Sequence, residues 1–395
     1  MQKIKNIFHF FEIFLGAVVF GFPGKKMKII GVTGTDGKTT TVNLIHHILT
    51  VAGYKTGIFS TLSSAHTTTP GRWYLQKFLK QCLDNGCTHV VLEVSSIAID
   101  QHRVWGIDFE IGVLTNIANN EHLDYHKTYE NYKKIKEDFL QSCKQTVRWE
   151  DYKDFSFETK LIGEFNRENC LAAIGAAKVM GIDDDTIRRA VLSFKAPSGR
   201  LEVIVRKPFM VIVDVAHTPQ AFEKVLPEVK KLGKRLIHVF GCTGDRDKTK
   251  RPLMGEIASK YDDVIILTHE DTYSEDREKI IDDIEKGIPP RHPGIFSSSW
   301  REPERPIGST KKILSPFGLQ NDVRSLQHDD NYYRISDRKE AIKKALEMAK
   351  PGDVVIITGV GHQKSLNIGG KEVPWSDQKT VKELLSLPPV SYKHQ

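Results

Sequence analysis

Cysteine is scarce in this sequence of 395 residues, and the five that occur form no pattern. Cys82, Cys87, Cys143, Cys170 and Cys242 contain no C-x-x-C pair and are odd in number, which argues against a zinc ribbon and a disulfide framework and for buried thiols in a reducing cytoplasm. Long blocks of lysine or arginine are also missing. The net charge of +7 is therefore spread thinly, and no nucleic-acid partner is implied. A mildly basic surface suits nucleotides or carboxylates without choosing between them. No apolar run reaches the roughly 18–20 residues that span a bilayer. No internal repeat is present. What remains is 39% hydrophobic and 27% charged, the composition of a soluble globular protein with room for two or three cores.

The longest apolar stretch, residues 7–22, is interrupted by His9 and Glu12. With Lys5 and Gly16 these fall at helical spacing and line up one less apolar stripe. Residues 1–27 are thus expected to form a leader helix, packed on the protein or making peripheral membrane contact through residues 4–22. No small-x-small cleavage site precedes Met27.

From Met27 strand and helix patterns alternate. Buried strands read at 28–32, 89–94 and 111–115, and a second series at 210–214, 236–240, 264–268 and 354–358. The fold class is therefore α/β: a phosphate-loop type, doubly wound parallel sheet domain followed by a second, Rossmann-like α/β domain. The expected division is 28–198 and 199–395, with KAPSGR at 195–200 as linker. Residues 289–333 hold six of the 17 prolines and little apolar period, and read as a loop insertion.

The string Gly34-Thr35-Asp36-Gly37-Lys38-Thr39-Thr40 lies between a strand and a helix, the setting in which a phosphate loop is credible. Its glycines let backbone N–H groups turn toward phosphate oxygens at a helix N-terminus. Lys38 would neutralise the β- and γ-phosphates of ATP, and the Thr39 hydroxyl would ligate Mg²⁺. Glu93 ends the next buried strand, where it faces the ligand crevice and can hold the metal's other side. His122 and His126 at i, i+4 lack a third zinc ligand, and Asp183-Asp184-Asp185 reads as a helix start. Trp73 and Trp105 read as packing residues.

Several ordered strings, among them GVTGTDGKTTT, TTTPG, LEVSSIAIDQHRV, TNIANNEHLDYH, GEFNRENCLAA, DVAHTP and ITGVGHQ, resemble the Mur ligase family. The resemblance runs through most of 28–288 and 335–385 and is greatest to members that add the third amino acid to UDP-MurNAc-dipeptide. It implies an ATP-dependent amide-forming ligase of peptidoglycan precursor synthesis. Such an enzyme activates a muramyl-peptide carboxylate as an acyl phosphate, which an amino acid then attacks. It further implies magnesium at Thr39, Glu93, His122 and Lys136, the last as a carbamate. Asn169, Arg200 and Asp214 would bind ATP with the loop, and His217 would join Lys38 and Lys136 in catalysis. Thr67, Thr68, Ser95 and Arg103 match positions that hold the nucleotide-sugar peptide. Asp271 and Gln363 match positions that hold the incoming amino acid.

The sequence also departs from the family. No counterpart of its N-terminal uridine-binding domain precedes Met27, which opens the reading of a lipid-linked acceptor or a partner protein. The stretch between Leu140 and Leu161 is short. The selectivity loop, D-N-P-R where diaminopimelate is used, reads Glu270-Asp271-Thr272-Tyr273 and lacks the arginine for bidentate carboxylate recognition. Diaminopimelate is therefore not the expectation from that loop, which leaves lysine or another amine open. Asp36 and Val215 stand where asparagine and tyrosine are usual. The competing readings are the same chemistry on a lipid-linked or polyglutamate-type carboxylate, and an ATP-binding protein without ligation. The location expected is cytoplasmic, at or near a membrane surface.

Overall fold

The computed structural model describes residues 2–63, 68–71, 73–118, 123–289, 313–314, 320–321 and 331–386. Thr67, His122 and most of the 289–333 segment lie outside the described residues. The chain forms two compact units, Met1–Pro197 and Ser198–Gln395.

The first unit begins with α1 (Gln2–Val19) and continues β1 (Lys28–Thr33), α2 (Lys38–Val51), β2 (Thr56–Phe59), α3 (Tyr74–Asp84), β3 (His89–Glu93), α4 (Ser96–Asp100) and β4 (Phe109–Leu114). It then runs α5 (Leu123–His126), α6 (Tyr129–Ser142), β5 (Gln145–Arg148), α7 (Glu164–Val179) and α8 (Asp184–Ser193). The strands form one parallel sheet in the order β2-β3-β1-β4-β5. Alternate side chains feed two cores. Ile30, Val32 and Val91 pack with α2, α7 and α8, while Ile29, Val90 and Leu92 pack with α3 and α6. With both faces covered, β3 is buried at every position, which is why it reads as a continuous apolar run. Asp183 caps α8 by accepting from Thr186 N at 2.9 Å, as its sequence suggests.

Helix α1 forms as expected, with Gly16 of its less apolar stripe turned inward. Gly16 is buried with Ile13 and Ala17, because small residues let the helix backbone approach Trp73. One sequence expectation needs correction here. Trp105 packs among Phe10, Phe14 and Phe22, but Trp73 is 43% exposed rather than packed.

The second unit contains β6 (Glu202–Val205), β7 (Met210–Val213), α9 (Pro219–Lys230), β8 (Leu236–Phe240), α10 (Lys250–Tyr261), β9 (Val264–Leu267) and α11 (Arg277–Glu285). After these come the short pair β10 (Ile313–Leu314) and β11 (Gln320–Asn321), then β12 (Tyr332–Arg334), α12 (Arg338–Met348), β13 (Val354–Ile357), β14 (Ser365–Ile368), β15 (Lys371–Pro374) and α13 (Asp377–Ser386). Its main sheet has the order β12-β9-β8-β13-β7-β6, parallel except for β6. The insertion therefore ends earlier than the sequence suggests, since Tyr332 and Tyr333 belong to an edge strand. A three-residue, half-buried strand carries too little periodicity to be seen in sequence. Arg338 and Asp377, both fully buried, are joined by two 2.8 Å hydrogen bonds that tie α12 to α13.

All five cysteines are free. Burial pushes the thiols of Cys82, Cys143 and Cys242 up to about 12 and that of Cys170 to about 11. These four are neutral packing groups, not nucleophiles.

Candidate active site

Strand β1 ends at Thr33, and the chain turns through residues 34–37 into α2. Gly37 has φ 81°, and a Cβ there would stand 2.0 Å from Asn169 Oδ1; one on Gly34 would stand 1.8 Å from Thr115 Oγ1. Only glycine fits either place. The segment after β4 braces the loop. Thr35 N donates to Asn116 O at 2.9 Å and Asp36 N to Asn116 Oδ1 at 3.0 Å. Thr115 Oγ1 and Asn116 Nδ2 donate to Asp36 O at 2.6 and 3.2 Å. No side chain caps α2 at Gly37, so its N-terminal N–H groups suit an anion. Lys38 Nζ curls over the loop, donating to Gly34 O and Thr35 O at 2.9 and 2.7 Å.

Behind the loop, Thr39 Oγ1 lies 3.2 Å from each oxygen of Glu93, and Thr40 is buried beside it. Glu93 is only 2% exposed, and it also accepts from Thr61 N at 2.8 Å and Thr61 Oγ1 at 3.0 Å. A buried carboxylate and a hydroxyl, all hard oxygen donors, fit a magnesium ion that keeps several waters. Among the described residues no three His, Cys, Asp or Glu side chains converge as a metal cluster. Thr61 had no signal in the sequence beyond its position just after β2.

Lys136 is 1% exposed on α6, with Nζ 4.6 Å from the centre of the Tyr132 ring. Tyr132, fully buried, reaches back with its hydroxyl 2.8 Å from Thr35 Oγ1, which in turn accepts from Ala118 N at 2.9 Å. Tyr132 thus links the phosphate loop to Lys136, a role the sequence did not reveal. His126, the second histidine of the i, i+4 pair, is buried with Nε2 2.9 Å from Ser96 Oγ.

The residues matched to acceptor binding also meet. Thr69 Oγ1 donates to Glu93 O at 2.7 Å and accepts from Ser95 N at 3.0 Å. Arg103 Nη1 donates to Thr69 O at 2.7 Å, and Thr61 Oγ1 lies 3.4 Å from Thr68 Oγ1. Ser95 caps α4 by accepting from Ala98 N at 3.2 Å. Among the described residues of the candidate acceptor loop, Thr69 is therefore anchored to the strand end that carries Glu93.

In the second unit, Asp214 is buried and accepts from Leu201 N and Ala216 N, each at 2.7 Å. Burial pushes its carboxyl up, against the opposing pull of Arg200 and those two N–H groups. His217 is exposed, and its Nδ1 donates to Val215 O at 2.7 Å, leaving Nε2 as an acceptor. Gln363 is exposed. Asp271 Oδ1 accepts from Asn367 N at 2.7 Å, which ties the 270–273 loop to the β14–β15 hairpin. The Arg246 guanidinium lies 5.8 Å from the Tyr273 ring, so a guanidinium stands beside this loop although the loop has none of its own.

Glu270 is 3% exposed and accepts from Thr243 Oγ1 at 3.2 Å, while its Oε1 is buried without a hydrogen-bond partner among the described residues. Burial pushes its carboxyl up to about 7, with Asp271 adding to the rise and Arg338, Lys250 and the Thr243 hydroxyl opposing it. A folded-state value above the unfolded one means the contribution to stability is fully present below the unfolded value and is lost as pH rises through about 7. Glu270→Gln should therefore flatten this dependence, making the protein more stable than wild type at pH 8 by on the order of 1–3 kcal/mol. Urea titrations of both proteins at pH 5 and pH 8 measure it; equal pH dependence would show that Glu270 does not titrate there.

The chain matches the model of the Mur ligase middle domain over residues 32–149 and that of the Mur ligase, glutamate ligase domain over residues 199–304. It is 36% identical to the UDP-N-acetylmuramoyl-L-alanyl-D-glutamate–2,6-diaminopimelate ligase of Aquifex aeolicus, over 93% of this chain and 79% of that protein. The corresponding ligase 1 of Clostridium acetobutylicum is 32% identical, over 94% of this chain and 80% of its own. Among solved structures, a UDP-N-acetylmuramoyl-L-alanyl-D-glutamate–2,6-diaminopimelate ligase is similar at TM-score 0.56 and 28% identity, covering 91% of this chain and 78% of that one. A folylpolyglutamate synthase of Mycobacterium tuberculosis shares the fold at TM-score 0.62 and 13% identity, covering 96% and 95%.

Proposed function

The chain belongs to the Mur ligase family, the ATP-dependent ligases of peptidoglycan precursor synthesis, and from that premise we propose that it joins an amino acid to a muramyl-peptide carboxylate through an acyl phosphate. The observation that carries this reading is the meeting of Thr39 Oγ1 with both oxygens of Glu93 directly behind the phosphate loop. Residues 28–198 are read as the central ATP-binding domain and 199–395 as the C-terminal ligase domain.

In this reading an oxygen of the acceptor carboxylate forms a bond to the γ-phosphorus as the bond to ADP breaks. The amine nitrogen then attacks the acyl carbon, phosphate leaves, and the amine's extra proton passes to solvent or a base. Lys38 exchanges its two loop carbonyls for phosphate oxygens and offsets their growing charge. Loop N–H groups orient the phosphates; Asn169, Arg200 and Asp214 contribute to nucleotide binding, and His217 offers Nε2. Thr68, Ser95 and Arg103 hold the acceptor, and Asp271 and Gln363 the incoming amino acid. Thr39 and Glu93 are oxygen donors that fit magnesium, and Lys136 would join them only as its carbamate; magnesium when bound would supply charge stabilisation to the transferring phosphoryl group. A membrane-surface location with contact through residues 4–22 is a separate proposal from this chemistry; no described helix is long and apolar enough to cross a membrane.

Purified protein should release ADP and phosphate only when both an acceptor and an amino acid are present. A panel of amino acids, diaminopimelate and lysine included, is tested against UDP-linked and lipid-linked muramyl dipeptides. ATP binding without turnover for any pair would sink the ligase reading.

A further inference from the structure

Helix α1 buries one apolar side and exposes another. Ile13 and Ala17 are inside, and Phe10 and Phe14 clasp Trp105 at ring separations of 5.3 and 5.4 Å. On the outer side Phe11, Phe14, Leu15, Val18 and Val19 remain 42–63% exposed, at a spacing that makes one helical stripe. Trp73, beside Gly16, and its neighbour Tyr74 are 43% and 57% exposed. Seven of the 14 exposed large apolar side chains among the described residues thus come from two adjoining helix ends or faces, not scattered singly.

The N-terminal sequence that carries this patch is net basic. Residues 1–28 contain Lys3, Lys5, Lys25, Lys26 and Lys28 against a single acid, Glu12. Lys25, Lys26 and Lys28 are exposed just beyond the end of α1. An aliphatic and aromatic stripe flanked by lysines is the chemistry that beds into the headgroup region of an anionic bilayer. A second copy of the chain fits less well, because two-fold pairing would set one lysine-rich rim against another.

The patch also sits behind the acceptor loop. Trp105 O accepts from Gln76 Nε2 at 3.1 Å, and two residues before Trp105 the Arg103 guanidinium holds Thr69 O. We propose that the outer stripe of α1, with Trp73 and Tyr74, beds on an anionic lipid surface and so presents residues 68–71 to a carboxylate carried on a lipid. The lipid-linked acceptor rests on the ligase reading; the membrane contact does not.

Co-sedimentation of the full chain with vesicles tests it, without nucleotide or substrate. Vesicles of phosphatidylcholine with roughly one third phosphatidylglycerol should carry the protein down, those of phosphatidylcholine alone much less, with binding weakened by salt. Phe11→Ser/Leu15→Ser/Val18→Ser, which spares the Trp105 contacts, should lower affinity on the order of 100-fold with its thermal midpoint and ATP binding retained. Lys25→Glu/Lys26→Glu should lower binding to the charged vesicles about 10-fold or more, and serves if the first variant does not fold. Absence of vesicle binding, or equal binding by wild type and variants, overturns the proposal. So does a wild-type dimer that the serine variant converts to monomer while vesicles bind neither. Ligation of a soluble acceptor alongside failed vesicle binding would remove this inference and leave the ligase reading standing.

Discussion

Glu93→Gln lowers the rate of ligation by on the order of 10²–10³-fold while the protein stays folded. The Glu93 carboxylate is held by several donors. It accepts from Thr39 Oγ1, Thr61 N and Thr61 Oγ1, and it is almost wholly buried. Glutamine keeps the shape and one acceptor oxygen, so the strand end and the loop it anchors survive. What disappears is the negative charge opposite the phosphate loop, the feature a divalent cation needs. Steady-state phosphate release, measured across a magnesium titration, separates the effects. The variant should require more magnesium and still reach a lower maximum. A variant that reaches the wild-type rate at every magnesium concentration would remove Glu93 from the site.

Lys136→Ala is expected to reduce turnover as far or further, and to recover part of it when formate or acetate is added. In the carbamate reading, the neutral amine attacks carbon dioxide, a C–N bond forms and a proton is released, leaving an anionic carboxylate-like end. Its setting is buried, against the Tyr132 ring, where an added anion needs a cationic partner, the role that bound magnesium would fill. Alanine leaves a space about the length of the lost side chain, into which a small carboxylate can diffuse. Rescue separates a chemical role from packing, because a merely structural lysine would not be replaced by formate. Loss of activity with no rescue by any small carboxylate, or undiminished activity, would end the carbamate proposal. Tyr132→Phe offers a gentler companion in the same assay, since it keeps the ring beneath Lys136 and removes the hydroxyl that bonds Thr35.

Much of the first unit was legible because its chemistry is local. A strand of apolar residues, two glycines at fixed distance and a lysine opening a helix are consecutive in the chain, and their geometry follows from short-range sterics. The continuous burial of β3 likewise shows as a continuous apolar run. The partners of these residues are not local. Thr61 lies 32 residues from Glu93, and Tyr132 lies 97 residues from Thr35. Neither has a periodicity or a neighbouring motif that would announce it. The edge strand Tyr332–Arg334 escaped for a related reason: three half-buried residues do not make a pattern.

By itself, the sequence determined that a glycine-rich loop joins the first strand to a helix, and that the ordered strings of a Mur ligase surround it, because backbone conformation and consecutive motifs are written in neighbouring residues. Only the tertiary structure decided which hydroxyls share the Glu93 carboxylate, which ring lies under Lys136, and which side of α1 faces out. Those outcomes depend on the packing of segments far apart in the chain. Gly16, which helical spacing places on the less apolar stripe with Glu12, is buried because a small residue is what close approach to Trp73 requires.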